Sequence, residues 1–335
     1  MKDIASDLGL SLITVSKALR NHPDVATQTR ERILKRAQEL DYQPNILARS
    51  LVTGHSYLIG LVVPGLIHPF YAELAMALSS VVGKRGYSVI ISSSEQDPEL
   101  ESREIRQLLA RRLDGLVIAA CGQEMEAFQQ MDRLGQPYLL IDQQLPGLDA
   151  NFVGVDDEAI GRLATEHLAD QGCQNIAHIQ GAKGLTGSRR LEGYRQALLQ
   201  RGLDYDPAHV VVCSKPDIDG ISQGAKAMHY LLEQTPRPDG IFCFNDPLAI
   251  GAMNAILEKG LRIPQDVAVV GCGNSYFGES LKLSSVDQNC RSLGERAGQI
   301  ILSVIESKKK AAHHTVILSP NLVQRASSMR SKLSV

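Results

Sequence analysis

Short apolar runs recur along the chain from residue 58 onward, and they restrict the fold more than any other feature. One series is Leu58–Val63, Val89–Ser93, Leu116–Ala120 and Tyr138–Ile141. A second is Ile176–Ile179, Val210–Cys213, Ile241–Phe244 and Val267–Gly271. Their starts lie roughly 22 to 38 residues apart. Between them apolar residues return at helical spacing, as in Ile105, Leu108 and Leu109, and again in Leu293, Ala297, Ile300, Ile301 and Val304. Strands alternating with helices at this interval make βαβ units and a parallel sheet. Continuous apolar strands belong to sheets covered by helices on both faces. The two series predict two tandem doubly wound lobes. The end of the chain, Ala326–Val335, is rich in Ser, Lys and Arg and is expected to fray.

The first 56 residues differ. They hold no strand-like run and read as at least three short helices. Ile4, Ala5 and Leu8 line one face of the first, Thr14–Arg20 forms the second, and Thr27–Leu40 forms the third with Ile33, Leu34, Ala37 and Leu40 on one stripe. A core this small is marginal, so Leu8, Val15, Leu19, Ile33 and Leu34 are all expected to pack together. The turn chemistry is specific. Gly9 suits the left-handed backbone that ends a helix, and Ser11 is a good N-cap for the next. Val15 and Leu19 then face the first helix, leaving Thr14, Ser16 and Lys17 outward, able to touch phosphates or base edges. That is the outline of a helix-turn-helix. A helical hairpin with no nucleic-acid role has the same outline, and the motif alone leaves both readings open.

Composition sets limits. Net charge is -2, which excludes a uniformly basic nucleic-acid coat, and the absence of Trp argues against a wall of stacking aromatics for single strands. The longest apolar stretch, Leu58–Ile67, contains Pro64 and falls short of the ~20 residues that span a bilayer. Met1-Lys2-Asp3-Ile4 has no signal-peptide core, so a soluble, cytoplasmic protein without a membrane partner is expected. The six cysteines are scattered without a C-x-x-C, as for reduced thiols rather than disulfides or a zinc site.

Met1-Lys2-Asp3-Ile4-Ala5, Thr14-Val15-Ser16-Lys17, Thr29-Arg30-Glu31-Arg32, Tyr42-Gln43-Pro44-Asn45, Ala48-Arg49-Ser50-Leu51 and Ile59-Gly60-Leu61-Val62-Val63-Pro64 together resemble the lactose-repressor/galactose-repressor (LacI) family of bacterial transcription regulators. The resemblance runs on to Leu322–Ser328, nearly the whole chain. It implies an α/β architecture with an N-terminal all-α helix-turn-helix domain (1–43), a hinge helix and linker (44–56), and a two-lobed, periplasmic-binding-protein-like effector-binding and dimerisation domain (57–335). The implied partners are a double-stranded DNA operator, a small-molecule effector and a second copy of the chain, a homodimer. No cofactor is implied; the effector would be a sugar or nucleoside-like metabolite.

Placed residue by residue, the resemblance puts helix Leu12–Arg20 in the major groove. The DNA-facing set would be Ser11, Leu12, Ile13, Thr14, Ser16, Lys17 and Arg20, with Asn45, Ala48 and Leu51 from the hinge. Leu12 and Ile13 lack hydrogen-bonding groups and would read bases by apolar contact, as with thymine methyls. Lys17 stands where many members have Arg, and Arg20 where they have Asn. Pro44 suits a helix start, and a hinge helix of about eight residues needs its symmetry mate and the minor groove to order it. Leu51 resembles the residue that wedges between central base pairs.

In two-lobed α/β folds ligands bind beyond the carboxyl ends of the strands. Phe70, Tyr71, Asp142, Asn245 and Asp246 follow strand runs, and Arg190 in Arg190-Leu191-Glu192-Gly193 resembles the family's effector-anchoring arginine. Each also has a plainer reading: Phe70 as core, Asp142 or Asp246 as a helix cap, Arg190 as a surface residue. After Val267–Val270, Gly273 stands where the family usually carries a ligand-binding aspartate, with Asn274 beside it as the remaining candidate.

Rival motifs are weaker. Gly220-Ile221-Ser222-Gln223-Gly224 fits the hydrolase elbow, but Ser214–Asp219 separates it from its strand, so it reads as a helix start. Gly271–Gly278 is an incomplete dinucleotide fingerprint, and Gly181–Gly187 lacks the Gly-Lys-Ser/Thr of a phosphate loop. His313-His314 are adjacent and not on one helical face, which suits a solvated pair. The sequence therefore reads as a ligand-responsive, sequence-specific DNA-binding repressor rather than an enzyme. The alternatives are a two-lobed solute-binding receptor, which would have no use for residues 1–56, and an α/β hydrolase, which would lose esterase activity on Ser222→Ala.

Overall fold

The computed structural model describes residues 1–19, 21–42, 50, 54–122, 124–182, 184–307 and 313–330. Its contacts divide it into two units, Met1–Ser56 and Tyr57–Val335. The hinge segment 44–51 lies outside the described residues except for Ser50, so Asn45, Ala48 and Leu51 are not placed; Arg20 is also outside them.

The first unit is helical. α1 (Lys2–Leu8) ends at Gly9, whose φ of 63° is the left-handed turn the sequence requires. α2 (Leu12–Leu19) and α3 (Thr27–Glu39) complete it. Its core is Ile4, Ala5, Val15, Ala18, Val25, Ile33 and Ala37, with Leu8, Leu10, Leu19 and Tyr42 packed around it. Leu34, expected inside, is 47% exposed. It sits one position round from Ile33 on α3, and Ile33 and Ala37, four apart, fill the stripe that faces the other helices. α2 begins at Leu12, two residues before the helix read from the sequence, because Ser11 caps it: Thr14 N–H donates to Ser11 Oγ at 3.1 Å. Arg36 fastens α3 to α1 through Asp7, Nε to Oδ2 at 2.8 Å.

The second unit holds two six-stranded sheets. The first comprises β1 (Leu58–Val63), β2 (Ser88–Ser93), β3 (Gly115–Ile118), β4 (Tyr138–Ile141), β5 (Phe152–Val155) and β11 (Thr315–Leu318), in the order β11-β5-β4-β3-β1-β2, all parallel. The second comprises β6 (Ile176–Gln180), β7 (Val210–Val212), β8 (Gly240–Cys243), β9 (Ala268–Cys272), β10 (Ser284–Asp287) and β12 (Asn321–Val323), in the order β12-β10-β9-β8-β6-β7. Here β12 alone runs antiparallel to its neighbour. Helices cover both sheets: α4 (Pro69–Gly83), α5 (Pro98–Ala110) and α6 (Glu126–Leu134) in the first lobe, α8 (Leu185–Gln200), α9 (Gly220–Leu232), α10 (Asp246–Glu258) and the short α11 (Tyr276–Ser280) in the second.

Two helices change sides. α7 (Asp157–Asp170) follows β5 of the first sheet yet packs on β8, β9 and β10 of the second. α12 (Cys290–Glu306) follows β10 of the second sheet yet packs on α4, β3 and β4 of the first. The chain thus crosses between lobes after β5, after β10 and after β11. Local caps fix where helices start: Asp97 accepts from Glu99 N–H at 2.9 Å, Asp156 from Ala159 N–H at 3.0 Å, and Asn245 from Leu248 N–H at 3.0 Å.

The structure corrects the sequence reading in two further places. β5, β10, β11 and β12 were not expected. The end of the chain is anchored as far as Arg330: Ser327 Oγ donates to the Val269 carbonyl at 2.6 Å, and Arg330 Nη2 to the Asp239 carbonyl at 2.6 Å. All six cysteines are free thiols. Ser222 lies inside α9, so the Gly-x-Ser-x-Gly run is the helix start the sequence suggested. Among the described residues no helix is long and apolar enough to cross a membrane.

Candidate functional site

The first unit offers one face of α2. Val15 and Ala18 point into its core, so the opposite side is free to meet another molecule. Leu12 is 45% exposed and Ile13 is 70% exposed at the N-terminal end of the helix, where two large apolar side chains gain nothing from water. Thr14 is tied to Ser11, Oγ1 to Oγ at 2.9 Å, and Ser16 is half-buried. Lys17 Nζ meets Asp24 Oδ2 at 2.9 Å, on the surface. That hydrogen bond, helped by the charge of nearby His22, lowers the Asp24 carboxyl below its ordinary value.

The second unit offers a cavity of about 280 Å³ between its lobes. Each lining segment leaves the carboxyl end of a strand: Pro64 and Tyr71 after β1, Gln96 after β2, Cys121 after β3, Asp142 and Gln143 after β4, Thr186 after β6, Asp217 after β7 and Phe244 after β8. This is where the topology of a doubly wound sheet opens a crevice. Gln96 and Asp217 bridge the lobes reciprocally: Gln96 Nε2 donates to Asp217 Oδ2 at 3.2 Å, and Asp217 N–H to Gln96 Oε1 at 3.3 Å.

Of the residues expected from sequence, Tyr71 and Asp142 share the cavity wall, joined by a 3.2 Å hydrogen bond from Tyr71 Oη to Asp142 Oδ2. The others stand behind it. Phe70 is core, edge-on to Tyr71 at 5.0 Å. Arg190 is buried rather than on the surface, its Nε on Asp157 Oδ1 at 2.9 Å and its Nη1 on the Phe244 carbonyl at 2.6 Å, with the guanidinium over the Phe244 ring. Asn245 caps α10 and donates to Asp217 Oδ1 at 3.1 Å. Asp246 is not among the lining residues and accepts from Ser275 N–H at 2.7 Å and Ser285 Oγ at 2.6 Å. A Cβ at Gly271 would lie 2.4 Å from Asp246 Oδ1, so a glycine there is a condition of this brace. Asn274 is held by Arg325 at 2.8 Å and by Asp287 at 3.2 Å.

Burial sets the electrostatics of the cavity. It raises the Asp142 carboxyl to about 6; Arg190 pulls it down, while Asp217 pushes it further up. Asp217 is likewise raised to about 6 by burial, against the Asn245 hydrogen bond, and Asp157 to about 6 against Arg190. Burial lowers His68 to about 4, and Arg190 adds to the effect, so its ring is neutral at physiological pH. Sequence reasoning missed Gln96, Gln143, Asp157, Thr186 and Asp217. The signal for each was position beyond a strand end; β5, which leads to Asp157, was itself unread, while the other four follow strands that the sequence did show.

A helix-turn-helix unit joined in one chain to a two-lobed α/β fold with a ligand-sized cleft defines a ligand-responsive DNA-binding regulator. The pattern of periplasmic binding proteins and the sugar binding domain of the LacI family matches residues 56–327, and that of bacterial regulatory proteins of the lacI family matches residues 1–45. The ribose operon repressor of Halalkalibacterium halodurans is 33% identical over 311 residues, 92% of this chain and 91% of the relative. The transcriptional repressor PurR of Haemophilus influenzae is 30% identical over 335 residues, covering 98% of each. The lac repressor dimer bound to operator and the anti-inducer ONPF superposes with a TM-score of 0.85 at 26% identity, over 98% of each chain. The chain belongs to the LacI family of bacterial regulatory proteins.

Proposed function

We propose that the protein is a homodimeric repressor that reads a palindromic operator and responds to a small molecule held in the interlobe cavity. The observation that carries this is the outer face of α2: Leu12 and Ile13, too apolar to be left in water without cause, at the leading end of a Ser-capped helix. They suit contact with thymine methyls, and Lys17 and Arg20 suit base edges or phosphates. Residues 1–43 would form the reading domain, 44–56 the hinge with Asn45, Ala48 and Leu51 at the minor groove, and 57–335 the effector and dimer domain. Leu66, Ile67, Met76 and Ile91 are exposed along α4 and its flanks, an apolar face suited to a second copy. A regulator of this kind works beside the chromosome, which places it in the cytoplasm. It carries out no reaction on this reading, and Ser222, within α9, lacks the strand-to-helix elbow of a hydrolase.

Effector binding would change the angle between the lobes, and through the dimer face the order of the hinge helices. The coupling is reciprocal, so effector shifts operator affinity by the factor by which operator shifts effector affinity. Selection of bound duplexes from a random double-stranded pool tests the reading. An enriched palindrome is expected, with half-site centres about 10 bp apart or a multiple of it, around an easily kinked pyrimidine–purine step. If neither the protein alone nor the protein with a metabolite extract enriches any sequence, the reading fails.

A further inference from the structure

Among the described residues that line the cavity, one pair ties its two walls together. Gln96 of the first lobe and Asp217 of the second exchange two hydrogen bonds across the cleft, Gln96 Nε2 to Asp217 Oδ2 at 3.2 Å and Asp217 N–H to Gln96 Oε1 at 3.3 Å. The amide supplies one donor and one acceptor, and Asp217 answers with its carboxylate and its own N–H, so the fit is complete only while the walls meet.

Each half of the pair is braced within its own lobe. In the second, Asn245 Nδ2 donates to the Pro216 carbonyl at 3.2 Å and to Asp217 Oδ1 at 3.1 Å, and the Gln223 side chain accepts from Lys215 N–H at 3.3 Å and donates to its carbonyl at 3.2 Å. In the first, Glu95 and Gln96 take φ of 50° and 54°, a left-handed backbone that non-glycine residues adopt at a cost. Such strain persists where the surroundings over-determine it, and it gathers at clamps and switches. Here Gln96 N–H donates to the Pro64 carbonyl at 3.2 Å and Asp97 N–H to the Ser94 carbonyl at 2.8 Å, which fixes the corner that presents Gln96 to Asp217. The two corners also touch. A Cβ at Gly65, in the first lobe, would lie 2.9 Å from the Asp217 carbonyl oxygen and 2.9 Å from Ile218 Cδ1, so a side chain there would hold the walls apart.

We infer that Gln96 is a latch: seated on Asp217, it holds the cleft shut and sets how often the cavity opens to exchange its contents. Two hydrogen bonds with a neutral amide make a light fastening, one that opens and recloses without unfolding either lobe. The latch belongs to the cleft, whatever enters it, so it stands apart from the regulator reading.

Cys121 supplies the reporter. It lines the cavity and is half-buried, whereas the other five cysteines are buried. The full chain is reacted with two neutral maleimides that differ in bulk, N-ethylmaleimide and N-(1-pyrenyl)maleimide, and the ratio of the pyrenyl to the ethyl rate at Cys121 is read by mass spectrometry of its peptide. The ratio cancels changes in the reactivity of the thiol itself. Gln96→Ala should raise it at least about fivefold, the scale set by losing the two bonds. Gln96→Glu, which turns a carboxylate toward Asp217, should raise it as much. Adding Asp217→Asn to Gln96→Glu should return the ratio to within about twofold of the starting protein, because the same bonds then form with donor and acceptor exchanged. The inference is overturned by an unchanged ratio in Gln96→Ala, whether both rates rise or neither does, or by a Gln96→Glu effect that Asp217→Asn fails to rescue. Pyrenyl label on the buried thiols in both single variants would mean that a lobe unfolds rather than that the cleft opens, which also overturns it.

Discussion

Lys17 shows how a residue on the face proposed to read DNA is held ready. Its ammonium rests on Asp24 at the surface, where water screens an ion pair and leaves it weak. Phosphates or a base edge can therefore take it over at little cost. Asp24→Asn should release Lys17 and remove a negative charge from the DNA side, raising operator affinity severalfold at low salt and steepening its decline with salt. Titrations against operator at several salt concentrations would check this. In a Lys17→Ala background the same substitution should do much less; equal effects in both backgrounds would mean the two residues act independently. Residue identity was readable here because the turn demands it. Gly9 takes a left-handed φ and Ser11 caps α2, both dictated by local chemistry. Asp246 was not readable, because its partners Ser275 and Ser285 come from distant segments.

At the scale of elements, helix pairs are brought unusually close by glycine. α7 and α8 cross at Gly161 and Gly193: a Cβ on Gly161 would lie 2.0 Å from the Arg190 carbonyl oxygen, and one on Gly193 the same distance from that of Glu158. The crossing sets Arg190 of α8 against Asp157 of α7, so cavity electrostatics depend on it. Gly193→Ala should cost about 1–3 kcal/mol in denaturant unfolding, as overpacking does, and should weaken effector binding by disturbing that pair. An unchanged midpoint would refute the close-packing account. Elements were legible where their chemistry is uniform. β1, β3, β4, β8 and β9 are apolar and almost wholly buried, and β6 is buried around His178 and Gln180; β5, just as apolar and buried, is the exception that went unread. β10 is buried but begins Ser284-Ser285, satisfied by hydroxyl bonds to Asp246, Ser328 and the Arg325 carbonyl, and a reading that counts apolar residues passes over it. β11 and β12 are short and alternately exposed, and their places depend on partners far away in sequence.

At the scale of the molecule, the two sheets repeat one strand order and exchange parts. The first is finished by α12 and β11, the second by α7 and β12, so the chain ties the lobes together at three crossings. A chain cut after residue 289 would lack α12, β11 and β12 together. It should show no cooperative thermal transition, because the buried faces of α4, β3 and β4 lose their cover. Calorimetry of that fragment would settle it, and a sharp transition near that of the full chain would refute the account. The same exchange of parts has a consequence for birth on the ribosome. Ten of the twelve described strands have been made by residue 289, yet neither lobe can close. The segment that holds α12, β11 and β12 must leave the exit tunnel first. Until then the nascent protein carries two open apolar faces, which makes the interval before α12, β11 and β12 emerge the period when chaperones matter most, and a stop ahead of β12 as harmful as an early one.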